Sequence, residues 1–398
     1  MALRSGAAAA LVPSFRLNNL VLPTLLAAGV AAVLTTGFVA VAPNRLLSGH
    51  PIGLFAAANG RLGAAIAVVA ALQLLTALAP PSRALQRAAA VLAGGLFLLV
   101  LAASGDAAAT LAAGAPSLAR ISLGAGFWIL LGIAALALTD ALQRAGAGPG
   151  EQFMAIAALG LATAAMAHAG FFDALSLARE YQTRHDLFAA ALGRHIVLVA
   201  AAVGPATLIG LPLGVAAVRR PRVQEPLFAV LNLLQTIPSI ALFGLLIVPL
   251  SALASAVPAV AALGIGGIGP APAIIALILY ALLPIVRNSA AGIAGVDGAV
   301  VDAARGMGMT RHQLFWRVEL PLALPLLLAG LRIVTVQAVG LAVVAALIGA
   351  GGLGSFVFKG LGQYVADLVL LGALPAILLA LAADFLLQTL STLVARND

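Results

Sequence analysis

The sequence predicts an all-α polytopic membrane protein with about ten transmembrane helices. Two observations carry that class. Of its 398 residues 63% are hydrophobic and only 9% charged, with a mean hydropathy of +1.14, whereas a soluble domain is about half apolar and about a quarter charged. Apolar runs of roughly the 20 residues that a bilayer core requires recur along the whole chain. The alternating segments of about 10 residues that an outer-membrane barrel would need are absent.

The chain has no cysteine, which excludes structural disulfides and Cys-ligated metal or iron–sulfur sites. Its net charge is +8. Most basic residues sit in short loops between apolar runs, as the positive-inside rule predicts, so the charge reads as topology and not as nucleic-acid binding.

The first apolar run is Leu20 to Ala42, after Arg4 and Arg16. A basic lead and Ala40-Val41-Ala42 give it the look of a cleavable signal. At about 23 residues it exceeds the apolar core of such a signal, and it reads as a retained first span. Spans at Leu62–Ala79, Ala84–Ala103, Ile121–Leu142 and Phe153–Phe172 complete an N-terminal membrane half, residues 1–172. Residues 173–193 are polar, with Arg179, Glu180, Arg184, His185 and Asp186. They read as a periplasmic linker with an amphipathic surface helix, or as a solvated loop. Residues 194–398 hold spans at His195–Val218, Leu227–Leu250, Ala271–Val286, Leu322–Ile348 and Leu368–Leu390, with a long loop at 287–321. Placing that loop in the cytoplasm puts thirteen arginines on its side against seven basic residues opposite, with both termini inside.

Within the spans, Arg332, Asp384 and His168 are expected to be satisfied locally, as a snorkelling Arg, a helix-end Asp and a His bonded inside the bundle. No repeated acidic pair marks a proton or sodium pathway. The one lysine, Lys359, lies outside any Gly-x-x-x-x-Gly-Lys-Ser/Thr setting, so the chain has no P-loop and any use of ATP must come from a partner. Gly264 to Gly269 and Gly349 to Gly354 are spelled like dinucleotide loops but lie at membrane ends, where tight turns or re-entrant backbone are expected.

The loop carries the most specific text. Asp297 to Met307 and Thr310 to Val318 read as two short helices, with Gly308 where the chain must turn. Thr310 and Gln313 have capping-box spacing, Leu314, Phe315 and Val318 give an apolar face, and Pro321 suits a helix start. Asp302-Ala303-Ala304, three residues, Gly308, then Val318 and Leu320-Pro321 resemble the EAA loop of ABC-importer permeases. The family pattern is Glu-Ala-Ala, three residues, Gly, nine residues, Ile, one residue, Leu-Pro. Asp302 replaces Glu and Val318 replaces Ile. Leu234 to Gly244, Leu283 to Asn288 and Ile348 to Gly354 further resemble the glycine betaine and choline branch of that family. Residues 1–172 offer no matching motif and look like the extra membrane half of the longer osmoprotectant permeases.

The resemblance implies a type I ABC importer permease fold in the C-terminal half, set in the bacterial inner membrane with the EAA loop cytoplasmic. It implies a second permease chain, identical or different, surrounding membrane lipid, a periplasmic substrate-binding protein, and an ABC ATPase that holds ATP and Mg. The chain itself is then no enzyme and has no cofactor. Asp302, Ala303, Ala304, Gly308, Val318, Leu320 and Pro321 are carried over as the coupling element. The implied cargo is glycine betaine, choline or a related quaternary ammonium. Another small solute, such as an amino acid or sulfonate, is the alternative within the class. An ATP-independent secondary transporter is the alternative outside it.

For the substrate pathway the residues themselves offer Asn232 and Gln235, three apart on one helix face, followed by Thr236 and Pro238. Pro238 would loosen that helix and free a carbonyl. Gln337, with Thr335, lies in the fourth span. These side chains either line a pathway or join helices by hydrogen bonds. Only 5% of residues are aromatic, so selection of a cation by an aromatic cage is expected in the binding protein.

Overall fold

The computed structural model describes residues 19–45, 47–80 and 82–395. Arg4, Arg16 and Arg396, used above for sidedness, lie outside the described residues. The chain forms two compact units, Met1–Arg179 and Glu180–Asp398. Among the described residues nine helices are long and apolar enough to cross a membrane, and a tenth apolar helix is shorter.

The first unit runs α1 (Val21–Thr35), β1 (Val39–Ala42), β2 (His50–Ile52), α2 (Leu54–Ala57), α3 (Gly60–Leu78), α4 (Arg83–Ala113), β3 (Arg120–Leu123), α5 (Ala125–Arg144) and α6 (Pro149–His168). The short α7 (Ser176–Gln182) crosses the boundary between units. The predicted span Leu20–Ala42 is not one helix. α1 has 15 residues, which at the helical rise is about 22 Å, short of the roughly 30 Å hydrocarbon core. Thr36 turns extended, and Val39–Ala42 becomes the middle strand of an antiparallel sheet ordered β2-β1-β3. Val39 lies opposite both Ile52 and Leu123. Ile121, expected at the start of a helix, belongs to β3, and α5 begins only after Gly124. β-branched Val39 and Ile121 face inward from this sheet, where such side chains pack well. They join Phe38, Leu54, Val100 and Phe127 in one core, and Phe38 meets Phe127 edge-on at 5.9 Å. α4 is longer than expected, 31 residues. His168, expected inside a bundle, sits exposed at the end of α6.

The second unit runs α8 (His185–Arg219), α9 (Pro221–Thr236), α10 (Ser239–Ala256), α11 (Pro258–Ala262), α12 (Pro270–Ala294), α13 (Gly298–Gly306), α14 (Arg311–Leu314), α15 (Leu320–Val344), α16 (Gly354–Gln363) and α17 (Ala366–Ala395). The polar text from His185 onward is continuous with the span that follows it in α8. The predicted span Leu227–Leu250 is instead two helices, broken at Ile237-Pro238. Pro238 has no amide to donate, and it forces Ile237 into extended backbone, φ −74° and ψ 125°. α12 continues to Ala294, so residues 287–294 of the predicted loop are helical.

α8 packs on α12 through a buried ladder of small residues, Ala202, Ala206, Gly210 and Gly214. A side chain has no room there. A Cβ at Gly210 would lie 2.7 Å from Ile285 Cγ2, and one at Gly214 would lie 2.8 Å from the Val286 carbonyl oxygen. Such small residues let membrane helices approach backbone to backbone. At the other end of α8, Arg194 Nε donates to the Ala350 carbonyl at 3.2 Å, and His195, fully buried, has Nε2 3.2 Å from the Val339 carbonyl. Arg194 thereby braces the glycine-rich turn at 349–354, and the His195 ring lies against its Gly352; Gly349, Gly351 and Gly352 all have positive φ. The Gly269 amide donates to the Ile348 carbonyl at 2.8 Å, so the two glycine-rich stretches meet.

Candidate functional site

The segment between α12 and α15 is built as two short helices and a hinge. Asp297 caps α13, accepting from the Ala299 amide at 2.9 Å. α13 ends in a Schellman motif: the Met309 amide donates to the Ala304 carbonyl at 3.2 Å and the Gly308 amide to the Arg305 carbonyl at 2.9 Å. Gly308 takes φ +79°, the left-handed region that glycine enters without steric cost. Thr310 and Gln313 close a full capping box at the start of α14, with bonds of 2.9 and 3.3 Å. Of the coupling residues read from the sequence, Ala304 is buried, Val318 and Leu320 are partly buried, and Asp302, Ala303, Gly308 and Pro321 are exposed. Ala304 and Leu314 pin the two helices inward. Val300, Met307 and Trp316 are exposed, as are Arg305 and Arg311.

The expected second helix does not run as α-helix to Val318. Phe315–Glu319 is a π-turn, in which the Leu320 amide donates to the Phe315 carbonyl five residues back. Pro321 supplies the reason. It lacks an amide, and its ring crowds the carbonyl four residues earlier, that of Arg317. A widened turn before Leu320-Pro321 relieves that crowding and lets α15 follow without a break; the apolar helix is continuous from Arg311 to Ile348. The π-turn is held from outside its own helix. Arg219, the last residue of α8, donates from Nη2 to Glu319 Oε2 at 2.7 Å, and its guanidinium carbon lies 5.3 Å from the Phe315 ring centroid.

The candidate pathway residues are only partly brought together. Gln235 Nε2 donates to the Tyr280 carbonyl at 2.6 Å, and the Tyr280 hydroxyl donates to the Ile237 carbonyl. These two bonds straddle the α9–α10 break and take up the Ile237 carbonyl, which the break leaves outside either helix. Asn232 Oδ1 accepts from Arg287 Nη2 at 2.7 Å. The Thr236 hydroxyl is turned back to the Leu233 carbonyl of its own helix. Gln337 lies apart on α15, half-buried, with no side-chain hydrogen bond among the described residues. Interhelical bonding therefore accounts for Gln235 and Asn232 in this state of the chain.

Arg332 and Asp384 correct the sequence reading. Neither is satisfied alone. Arg332 makes a two-pronged pair with Asp384, through Nε to Oδ1 and through Nη2 to Oδ2 at 2.8 Å, tying α15 to α17. Tyr280, Arg219 and this pairing were missed from sequence. Arg219 stands in Arg219-Arg220-Pro221-Arg222, a run that serves equally well as a topology signal.

Residues 206–396 match the family described as the binding-protein-dependent transport system inner membrane component. The chain is a member of that ABC-importer permease family. Residues 16–178 match the N-terminal domain of the ABC transporter permease YehY. The permease half is 40% identical over 197 residues to the carnitine transport permease protein OpuCB of Listeria monocytogenes, covering 50% of this chain and 83% of the relative. It is 42% identical over 201 residues to the osmoprotectant import permease protein OsmW of Salmonella typhimurium, covering 50% of this chain and 88% of that protein. The choline transport system permease protein OpuBB of Bacillus subtilis is 37% identical over 193 residues, 48% of this chain and 82% of the relative. As a permease of this kind, the chain is a multi-pass membrane subunit that works with an ATPase and a substrate-binding protein.

Proposed function

We propose that this permease forms the membrane pathway of an ATP-driven importer for small quaternary ammonium osmoprotectants, the class that includes choline, carnitine and glycine betaine. The observation that carries the reading is the likeness of the permease half to three transporters of such solutes. In this reading the chain lies in the bacterial inner membrane with residues 297–321 in the cytoplasm. The ATPase receives α13 and α14 on the exposed Val300, Met307 and Trp316. Asp302, Ala303, Ala304 and Gly308 shape the docking helix, while Val318, Leu320 and Pro321 join it to α15. A second permease chain completes the pathway, and a periplasmic binding protein delivers the solute.

The chemistry of the cargo fits a lightly built pathway. A quaternary nitrogen carries charge but no N–H, so it is recognised by aromatic faces and oxygen lone pairs. The α9–α10 break leaves the Ile237 carbonyl between the two helices, close in the chain to Asn232, Gln235, Thr236 and Pro238. Exchange of the Tyr280 hydroxyl for a passing cation would expose that oxygen, and Gln337 on α15 is a further polar group for the pathway.

The test is uptake of radiolabelled choline and glycine betaine into vesicles holding the permease with its ATPase and binding protein. ATP-dependent accumulation is expected. Uptake by the permease alone on an ion gradient, or ATP-driven uptake of an amino acid with neither quaternary ammonium taken, would overturn the reading.

A further inference from the structure

We propose that Arg219 is a positioning residue for transport: it clamps the π-turn Phe315–Glu319 to the end of α8, so that motion of the docking helices passes into α8 and is not absorbed by the turn. This rests on the ABC-importer reading above.

The π-turn is the weak joint of the segment. It lies between the docking helix α14 and the 25-residue α15, and a π-turn is an irregular, widened piece of helix that is found often at functional positions. A push on α14 could be taken up there by a change of winding. Arg219 touches both ends of the joint. It stacks on Phe315, the first residue, and bonds Glu319, the last. The Glu319 side chain is 13% exposed against 45% for Arg219, so the carboxylate is largely withdrawn from water and depends on this partner. The contact uses what is particular to arginine. A planar guanidinium can stack on a ring and still direct an N–H at a carboxylate, whereas an ammonium cannot do both.

α8 is suited to carry the motion onward. It is one helix of 35 residues, about 52 Å long at the helical rise. The ladder at Ala202, Ala206, Gly210 and Gly214 keys it to α12 without slack. Its other half bonds the glycine turn 349–354 through Arg194, sets the His195 ring against Gly352 of that turn, and reaches α15 through the His195–Val339 contact. The clamp thus joins the docking segment to an element that reaches the opposite end of the unit. A second route, along α15 itself, has to pass through the π-turn.

The experiment reads choline imported per ATP hydrolysed in vesicles with the complete transporter, together with the amount of ATPase that copurifies. Arg219→Ala and Arg219→Gln are expected to lower that ratio about fivefold, the scale of losing one stacked, partly buried ion pair, with hydrolysis and copurification unchanged. Arg219→Lys keeps charge without the stack and should fall between Ala and wild type. The exchange R219E with E319R should recover import beyond either single change, which a variant that merely misfolds would not do. An unchanged ratio in Arg219→Ala overturns the clamp. So does a parallel fall of import, hydrolysis and copurification that the exchange does not repair. Wild-type vesicles separate the two claims: no ATP-dependent choline import by wild type overturns the importer reading, and normal wild-type import with an unchanged Arg219→Ala ratio overturns the clamp alone.

Discussion

Replacing Gly308 tests the hinge by conformation alone. Its φ is +79°, and a Cβ built there meets nothing within 4 Å, so no packing inside the chain changes. The cost of Gly308→Ala is then the left-handed strain of one L-residue, about 1–2 kcal/mol. That is a factor of about 5–30 in the population of the Schellman-closed hinge. Asn tolerates the left-handed region and should cost less, while β-branched Val at positive φ should cost more. Import should therefore fall in the order Gly, Asn, Ala, Val. ATP-dependent choline uptake in vesicles reads the effect, with thermal melting of the isolated permease moving little. Normal uptake by Gly308→Val would refute the hinge. Equal losses in Asn and Val would show that the partner's surface, and not backbone conformation, demands glycine.

Three further outcomes follow from the packing. Arg332→Ala leaves Asp384 unpaired in a span and should destabilise the permease by about 2 kcal/mol, between exposed and buried ion pairs; the double change to Met at both positions should recover most of it, read by thermal melting in detergent. Thr310→Ala removes the capping box and should cost about 1 kcal/mol locally, seen as faster amide exchange over Arg311–Leu314 and not elsewhere. Gly214→Leu would drive a side chain against the Val286 carbonyl and should destabilise the second unit by about 1–3 kcal/mol or more through overpacking, whereas Gly204→Leu, at an open position, should be tolerated.

Much of the fold was legible because membrane spans are written in composition, and no other structure tolerates such runs of Ala, Leu and Val. The failures are instructive. Leu20–Ala42 looks like one span because hydropathy does not distinguish a helix from a buried strand; only the pairing of Val39 with Ile52 and Leu123 decides it. Leu227–Leu250 looks like one span because its apolar text continues across Pro238, although the proline itself signalled a weakened helix. The hinge at Gly308 and the Thr310 capping box were readable, since both depend on local chemistry within a few residues. The Arg332–Asp384 pair and the Arg219 clamp were not. Their partners lie 52 and about 100 positions apart in the chain, and a lone sequence carries no sign of which distant charges meet.

Residues 297–321 are, in this proposal, the surface that an ATPase covers. The chain has no cysteine of its own, so Met307→Cys, at an exposed hinge residue, gives a single reporter. Membrane-impermeant maleimide should label it from the cytoplasmic face of inside-out vesicles, and bound ATPase should protect it. Labelling only from the opposite face, or labelling that the ATPase leaves unchanged, would contradict the account.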